Sequence, residues 1–146
     1  MPANTPTQAK IGYGTRLACE FTTGVYTDVA EVVTIGPPQP VADDVKVTNQ
    51  DSPNRTHEYI SGMIEAGEAS MTLNWLPNDP TQDETTGLLA LSISGATKNW
   101  RITTPHTPPL IWTFPGYVKA FKPAIPTEGA MTSEVTLKVT GASTFA

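Results

Sequence analysis

From Ala69 to Trp75 the chain alternates apolar and polar side chains without a break. Ala69, Met71, Leu73 and Trp75 are separated by Ser70, Thr72 and Asn74. A period of two sends successive side chains to opposite faces of an extended strand, so one face is buried and the other wet. The pattern returns near the end, where Met131, Ser133, Val135, Leu137 and Val139 share one side. Other β-rich runs are cut by proline and glycine, which interrupt a ladder. Half-buried strands of this kind must cover their apolar faces against one another. The expected fold is therefore mainly β, a sandwich or barrel of antiparallel sheets.

The remaining elements follow from the same reasoning. Residues 1–14 are polar and contain Pro2, Pro6, Gly12 and Gly14, which predicts a flexible arm ahead of a single domain over 15–146. Strands are predicted over Thr15–Phe21, Val25–Ile35, Tyr59–Ile64, Asn99–Thr104, Ile111–Phe121 and Met131–Thr140. Gly36-Pro37-Pro38-Gln39-Pro40 stops the second of these. A short extended piece, Val45–Thr48, runs into Asn49-Gln50-Asp51-Ser52-Pro53-Asn54, whose side chains favour turns and predict a loop or hairpin tip. One flanking helix is predicted over Thr81–Leu91. Asp79 or Thr81 would cap it, Asp83 and Glu84 would sit in its first turn, and Leu88, Leu89 and Leu91 would be its buried side.

Composition removes several classes of function. With 38% hydrophobic and 16% charged residues among 146, the chain is neither charge-rich and disordered nor membrane-like, and no apolar run reaches about 18 residues. Its N-terminus lacks the basic and apolar regions of a secretory signal. The net charge of -5 is uneven: twelve acids face two bases, Lys46 and Arg55, between Glu20 and Glu84, whereas five bases outnumber two acids from Thr85 onward. Such polarity suits head-to-tail contact between copies. No cluster of Lys and Arg with interleaved aromatics marks a nucleic-acid grip.

No constellation for catalysis or metal binding emerges. His57-Glu58 fails the H-E-x-x-H pattern because Ser61 stands where the second histidine belongs. His106 sits in a proline-rich turn. Cys19, the single cysteine, lies on an alternating strand, where a small core residue is expected. The pairs Asp43-Asp44 and Asp83-Glu84 are adjacent, so on a strand they diverge instead of converging on one bond. Asn54-Arg55-Thr56 is a formal glycosylation triplet without a secretory context. No cofactor is expected.

Several segments in order then resemble the tail tube proteins of long-tailed, non-contractile bacteriophages. They are Val45–Asn54 followed by Glu58-Tyr59-Ile60-Ser61-Gly62, Glu65-Ala66-Gly67-Glu68 leading into Met71–Trp75, Asp83–Leu91, Trp112-Thr113-Phe114-Pro115-Gly116-Tyr117-Val118, and Val135–Gly141. The resemblance covers roughly residues 25–141 and is to a lambda-like tube module with no added immunoglobulin-like domain. It implies a virion structural protein, put together in the host bacterial cytoplasm, whose copies form hexameric rings stacked into a hollow conduit for phage DNA ejection. Implied partners are other copies, a tail-tip initiator, a tape measure and a tail terminator; double-stranded DNA passes without specific binding, and no membrane is involved. On that basis Val45, Lys46, Asn49, Asp51, Ser52, Asn54 and Arg55 are expected in an inter-ring loop that gains order on stacking. Asp28, Glu31, Glu65 and Glu68 are candidate acids of the bore, where they would repel phosphates. Two alternatives stand beside this reading. One is an isolated β-sandwich binding module, for protein or for carbohydrate stacked on Trp75, Trp100 or Trp112; the other is a different member of the tube superfamily, such as a type VI secretion tube protein.

Overall fold

The structure, a computed structural model, describes residues 6–146. The first five residues of the expected arm lie outside that range, and residues 6–14 contain no helix or strand. The elements in chain order are β1 (Arg16–Thr22), β2 (Val25–Asp28), β3 (Val32–Gly36), β4 (Val41–Lys46), β5 (Tyr59–Glu65), β6 (Glu68–Asn74), α1 (Leu88–Ser94), β7 (Lys98–Thr103), β8 (Ile111–Ala124), β9 (Thr132–Val139) and β10 (Thr144–Phe145). A 3-10 turn, Pro53–Arg55, lies between β4 and β5.

The long strand β8 organises the molecule. Its first half, Ile111 to Gly116, pairs with β7, and Trp112 and Thr113 also meet β10. Its second half, Gly116 to Ala124, pairs instead with β9. The main sheet therefore runs β2-β1-β7-β8-β9-β6-β3, with β8 common to the part built on β7 and the part built on β9. The change of partner falls on Pro115-Gly116. A proline brings no N–H to a ladder, so it is tolerated where pairing switches. Gly116 is required by space: a Cβ there would lie 2.8 Å from the carbonyl oxygen of Lys138. A change of partner along one strand lets a single sheet cover both sides of a core.

The two parts enclose one core. Leu17 and Cys19 of β1, Trp100 and Ile102 of β7, and Phe114 of β8 meet Ala69, Met71 and Leu73 of β6 and Val135, Leu137 and Val139 of β9. The alternation in β6 and β9 is realised in register, with Met71 opposite Val135 and Ala69 opposite Leu137. Leu88 and Leu91 of α1 cover the same cluster. Trp100 is fully buried, and its Nε1 donates to the carbonyl of Gly116 at 3.0 Å, tying β7 to the point where β8 changes partner. Cys19 is a core residue as expected, and burial pushes its thiol up to about 12, Lys98 opposing and Glu20 adding to the shift. The sign follows from the unfolded thiol ionising near 9: stability held by the neutral thiol is intact below that pH and declines as pH rises from 9 towards 12. At pH 8 the folded protein is expected to resist alkylation, and urea to expose the thiol; fast native labelling would contradict this burial.

Two sequence expectations change. Val25–Ile35 is not one strand but two, because residues 29–31 carry the chain from one part of the sheet to the other. The N–H of Ala30 donates to Thr81 Oγ1 (3.2 Å) and its carbonyl accepts from Gln82 Nε2 (2.7 Å), so neither group is available to a ladder. Glu31 then takes φ 51°, and its carbonyl accepts from the N–H of Asn74. The helix, too, begins later than Thr81. Asp83 is the cause: one of its carboxylate oxygens accepts from the N–H groups of Thr86 (2.8 Å), Gly87 (2.9 Å) and Thr85 (3.2 Å), folding that segment into turns. A Cβ on Gly87 would fall 2.3 Å from the N of Asp83, so only glycine permits this turn. Asp83 and Glu84 consequently precede the helix, whose first turn holds no acid.

Gln82 is the buried polar keystone of this region. It is 0% exposed, and besides Ala30 it accepts from the N–H of Leu76 at 2.8 Å. Gln82→Ala strands the part-buried N–H of Leu76 and carbonyl of Ala30 and empties a fully buried site; a stranded group costs about 1–3 kcal/mol when fully buried and less when water reaches it. A loss of about 1–3 kcal/mol is expected in urea unfolding; a change within about 0.5 kcal/mol would show that water replaces the side chain without cost.

Candidate functional site: an assembly surface

Strands β4 and β5 form a two-stranded sheet of their own, apart from the main one. All six residues of β4 are exposed, as are all of β5 except Gly62. Its register places Val45 opposite Ile60 and Ala42 opposite Ile64, one apolar side of the hairpin. Ile60 is 56% and Ile64 68% exposed, and Met63 on the other side is 83% exposed. A two-stranded hairpin in water is marginal by itself. One that also presents an apolar face is built to be covered.

The hairpin tip is shaped by its own polar groups. Ser52 Oγ donates to Glu58 Oε2 (2.6 Å) and accepts from the N–H of Asn49 (2.9 Å). Asn49 Oδ1 accepts from the N–H of Asp51, and Thr48 Oγ1 accepts from the N–H of Glu58. Asn54 and Arg55 both adopt left-handed backbone, φ 54° and 59°, sparsely populated by residues other than glycine. The turn so made leaves Arg55 exposed. The predicted loop residues Val45, Lys46, Asn49, Asp51, Ser52, Asn54 and Arg55 are thus collected on one projecting element. Sequence reasoning missed the strand from Val41 to Asp44 because no side of it is buried; its partner run, Tyr59–Glu65, was the available signal.

The candidate acids divide into two groups. Asp28 ends β2, an edge of the main sheet, and Glu31 lies in the crossing, where its carboxylate accepts from Asn74 Nδ2 (3.4 Å). Glu65 and Glu68 flank the turn from β5 into β6. With six residue steps between Glu68 and Asn74, the groups are about 20 Å apart. The structure gives Glu65 and Glu68 partners that the sequence does not suggest: Lys138 at 3.4 Å and Lys119 at 2.5 Å respectively.

Among the described residues the candidate chemical side chains lie apart. A cleft of about 610 Å3 runs between residues 12–16 and β3, lined by Gly12 to Arg16 and Val32 to Ile35, without a carboxylate, histidine or thiol. Among the described residues no group of three or more His, Cys, Asp or Glu could hold a metal. Cys19 has no solvent access, and the imidazole of His57 meets Thr48 at the hairpin tip. The tryptophans are engaged internally: Trp75 packs edge-on against Phe121, Trp112 tilts over Phe145, and Trp100 is in the core.

The sequence profile of the family described as lambda phage tail tube protein, TTP, matches residues 11–146. No curated protein sequence matches the chain significantly. Among solved structures, a protein from the tail of an empty gene transfer agent particle, refined with C6 symmetry, superposes with TM-score 0.77 at 19% identity over 94% of this chain and 99% of that one. The SPP1 tail tube gives TM-score 0.67 at 13% identity over 92% and 77%. A chain of the sheath-tube complex of an extracellular contractile injection system gives 0.69 at 9% identity over 95% and 92%. These likenesses show a common fold.

Proposed function

Since the chain belongs to the lambda phage tail tube protein family and is a structural tail tube subunit, we propose that its copies close into six-membered rings. These rings stack head to tail as a hollow conduit for double-stranded DNA. The observation that carries this reading is the β4–β5 hairpin, whose exposed apolar side chains and unshared ladder have no cover within one subunit. The C6 symmetry of the gene transfer agent tail supports the ring number. The main sheet leaves three edge strands, β2, β3 and the short β10, and a ring of copies removes such edges by pairing or covering them. The hairpin, with Val45, Lys46, Asn49, Asp51, Ser52, Asn54 and Arg55, reaches the next ring. Its tip arrives already shaped by internal hydrogen bonds, which lowers the ordering cost of stacking. Asp28, Glu31, Glu65 and Glu68 lie towards the bore and keep phosphate from adhering. A tail-tip initiator, a tape measure and a tail terminator start, measure and end the stack.

The test is negative-stain electron microscopy of concentrated protein, with mass by light scattering, with and without a purified tail tip. Rings or hollow tubes of six-fold symmetry are expected. A monomer that stays monomeric at every concentration and beside the tail tip would overturn the proposal.

A further inference from the structure

The outward face of β6, β9 and the second half of β8 differs from the rest of the surface. The exposed large apolar side chains of the described residues lie on the arm, the hairpin, the edge strands, the helix and the loops; none falls within 68–74, 132–139 or 116–124. The register instead brings Ser70 opposite Thr136, Thr72 opposite Glu134 and Asn74 opposite Thr132, a hydroxyl-rich surface suited to staying wet. Three lysines stand on it, Lys119, Lys122 and Lys138, and left bare they would attract a polyanion. Two of them have a carboxylate in place: Lys119 Nζ is 2.5 Å from Glu68 and Lys138 Nζ is 3.4 Å from Glu65, while Lys122 lies opposite Glu134 in the ladder without forming an ion pair.

We propose that this face is the DNA-facing wall of the tube, and that Glu65 and Glu68 act there as masks that withhold Lys119 and Lys138 from DNA phosphates. The inference rests on the conduit reading above and gives two of its acids a specific task. Stability does not explain these pairs, because exposed ion pairs contribute little to folding. The hydrogen bond from Lys119 holds Glu68 below the usual carboxylate range, and Glu68 raises Lys119, so both stay charged and mutually satisfied near neutral pH. A masked lysine retains its water-attracting charge without a net positive field over the distances at which a phosphate would be captured.

The experiment compares Glu65→Gln/Glu68→Gln with Glu84→Gln/Glu128→Gln. Both double variants change the net charge equally, but Glu84 and Glu128 form no ion pair among the described residues. The soluble subunits are first run on a heparin column. The masked-pair variant is expected to elute at higher salt than the control variant, and adding Lys119→Gln/Lys138→Gln is expected to reverse this. Assembled tubes are then mixed with short double-stranded DNA and treated with nuclease. Tubes of the masked-pair variant are expected to hold nuclease-resistant DNA that wild-type and control tubes release. Two freed lysines per subunit predict about a 3.5-fold loss of affinity for each doubling of salt. Equal elution of the two variants would overturn the masking. Retained DNA that stays fully nuclease-sensitive would overturn the assignment of this face to the bore. Failure of wild-type protein to form tubes would count against the conduit reading alone, since the heparin comparison needs no tube.

Discussion

Deleting Asn49 to Asn54 and closing the hairpin with a two-residue turn is expected to abolish tubes while leaving the subunit folded. The 3-10 turn buries no residue, and the hydrogen bonds of the tip stay within 47–58, so the core gives up nothing. The circular dichroism spectrum and urea midpoint should match those of the full chain. Assembly is different. The deletion removes the polar knob that β4 and β5 project, together with the geometry that holds Arg55 outward. Electron microscopy under conditions that polymerise the full chain should show no tubes, and light scattering should report no growth. Tubes of normal length and spacing from the deleted chain would show that rings stack through another surface.

Trp100→Ala is expected to have the largest effect on stability of any single substitution. Replacing a buried tryptophan by alanine costs about 3–5 kcal/mol, a large part of the roughly 5–15 kcal/mol that holds a domain of this kind. Trp100 also supplies the donor for the carbonyl of Gly116, which sits where β8 changes partner. Trp100→Phe separates the two contributions, since it fills most of the space and removes only the donor; a loss of about 1–3 kcal/mol is expected for the stranded carbonyl. Both are read by urea unfolding with Trp75 and Trp112 as the remaining fluorophores. A Phe variant as unstable as the Ala variant would assign the whole effect to the hydrogen bond.

The parts of this fold that were legible in the sequence are those where one side of an element is buried and the other is not. Ala69 to Trp75 and Met131 to Val139 announced themselves because their period of two is the period of burial. Strand β4 has no buried side, so nothing in Val41-Ala42-Asp43-Asp44 marks it; only pairing with β5 makes it a strand. The break at 29–31 originates in polar side chains 51 or 52 residues along the chain that occupy the backbone groups of Ala30, whereas the helix is delayed locally by Asp83. Local pattern carries no trace of the distant partners. The site was legible to a similar degree: the tip residues were recognised as a loop, whereas the lysines beside Glu65 and Glu68 come from strands 73 and 51 positions away.

Strand β8 has a mechanical consequence. Two sheets that meet only through side chains can slide past each other under load, but here both halves of the core share the covalent strand β8, held to β7 at its change of partner by the bond from Trp100 to Gly116. Each subunit should therefore behave as a stiff bead. With the hairpins bridging successive rings as proposed, the compliance of a long stack would reside in β4 and β5. How sharply such a filament curves before it breaks would be a property of residues 41–65, tunable there without altering the bead.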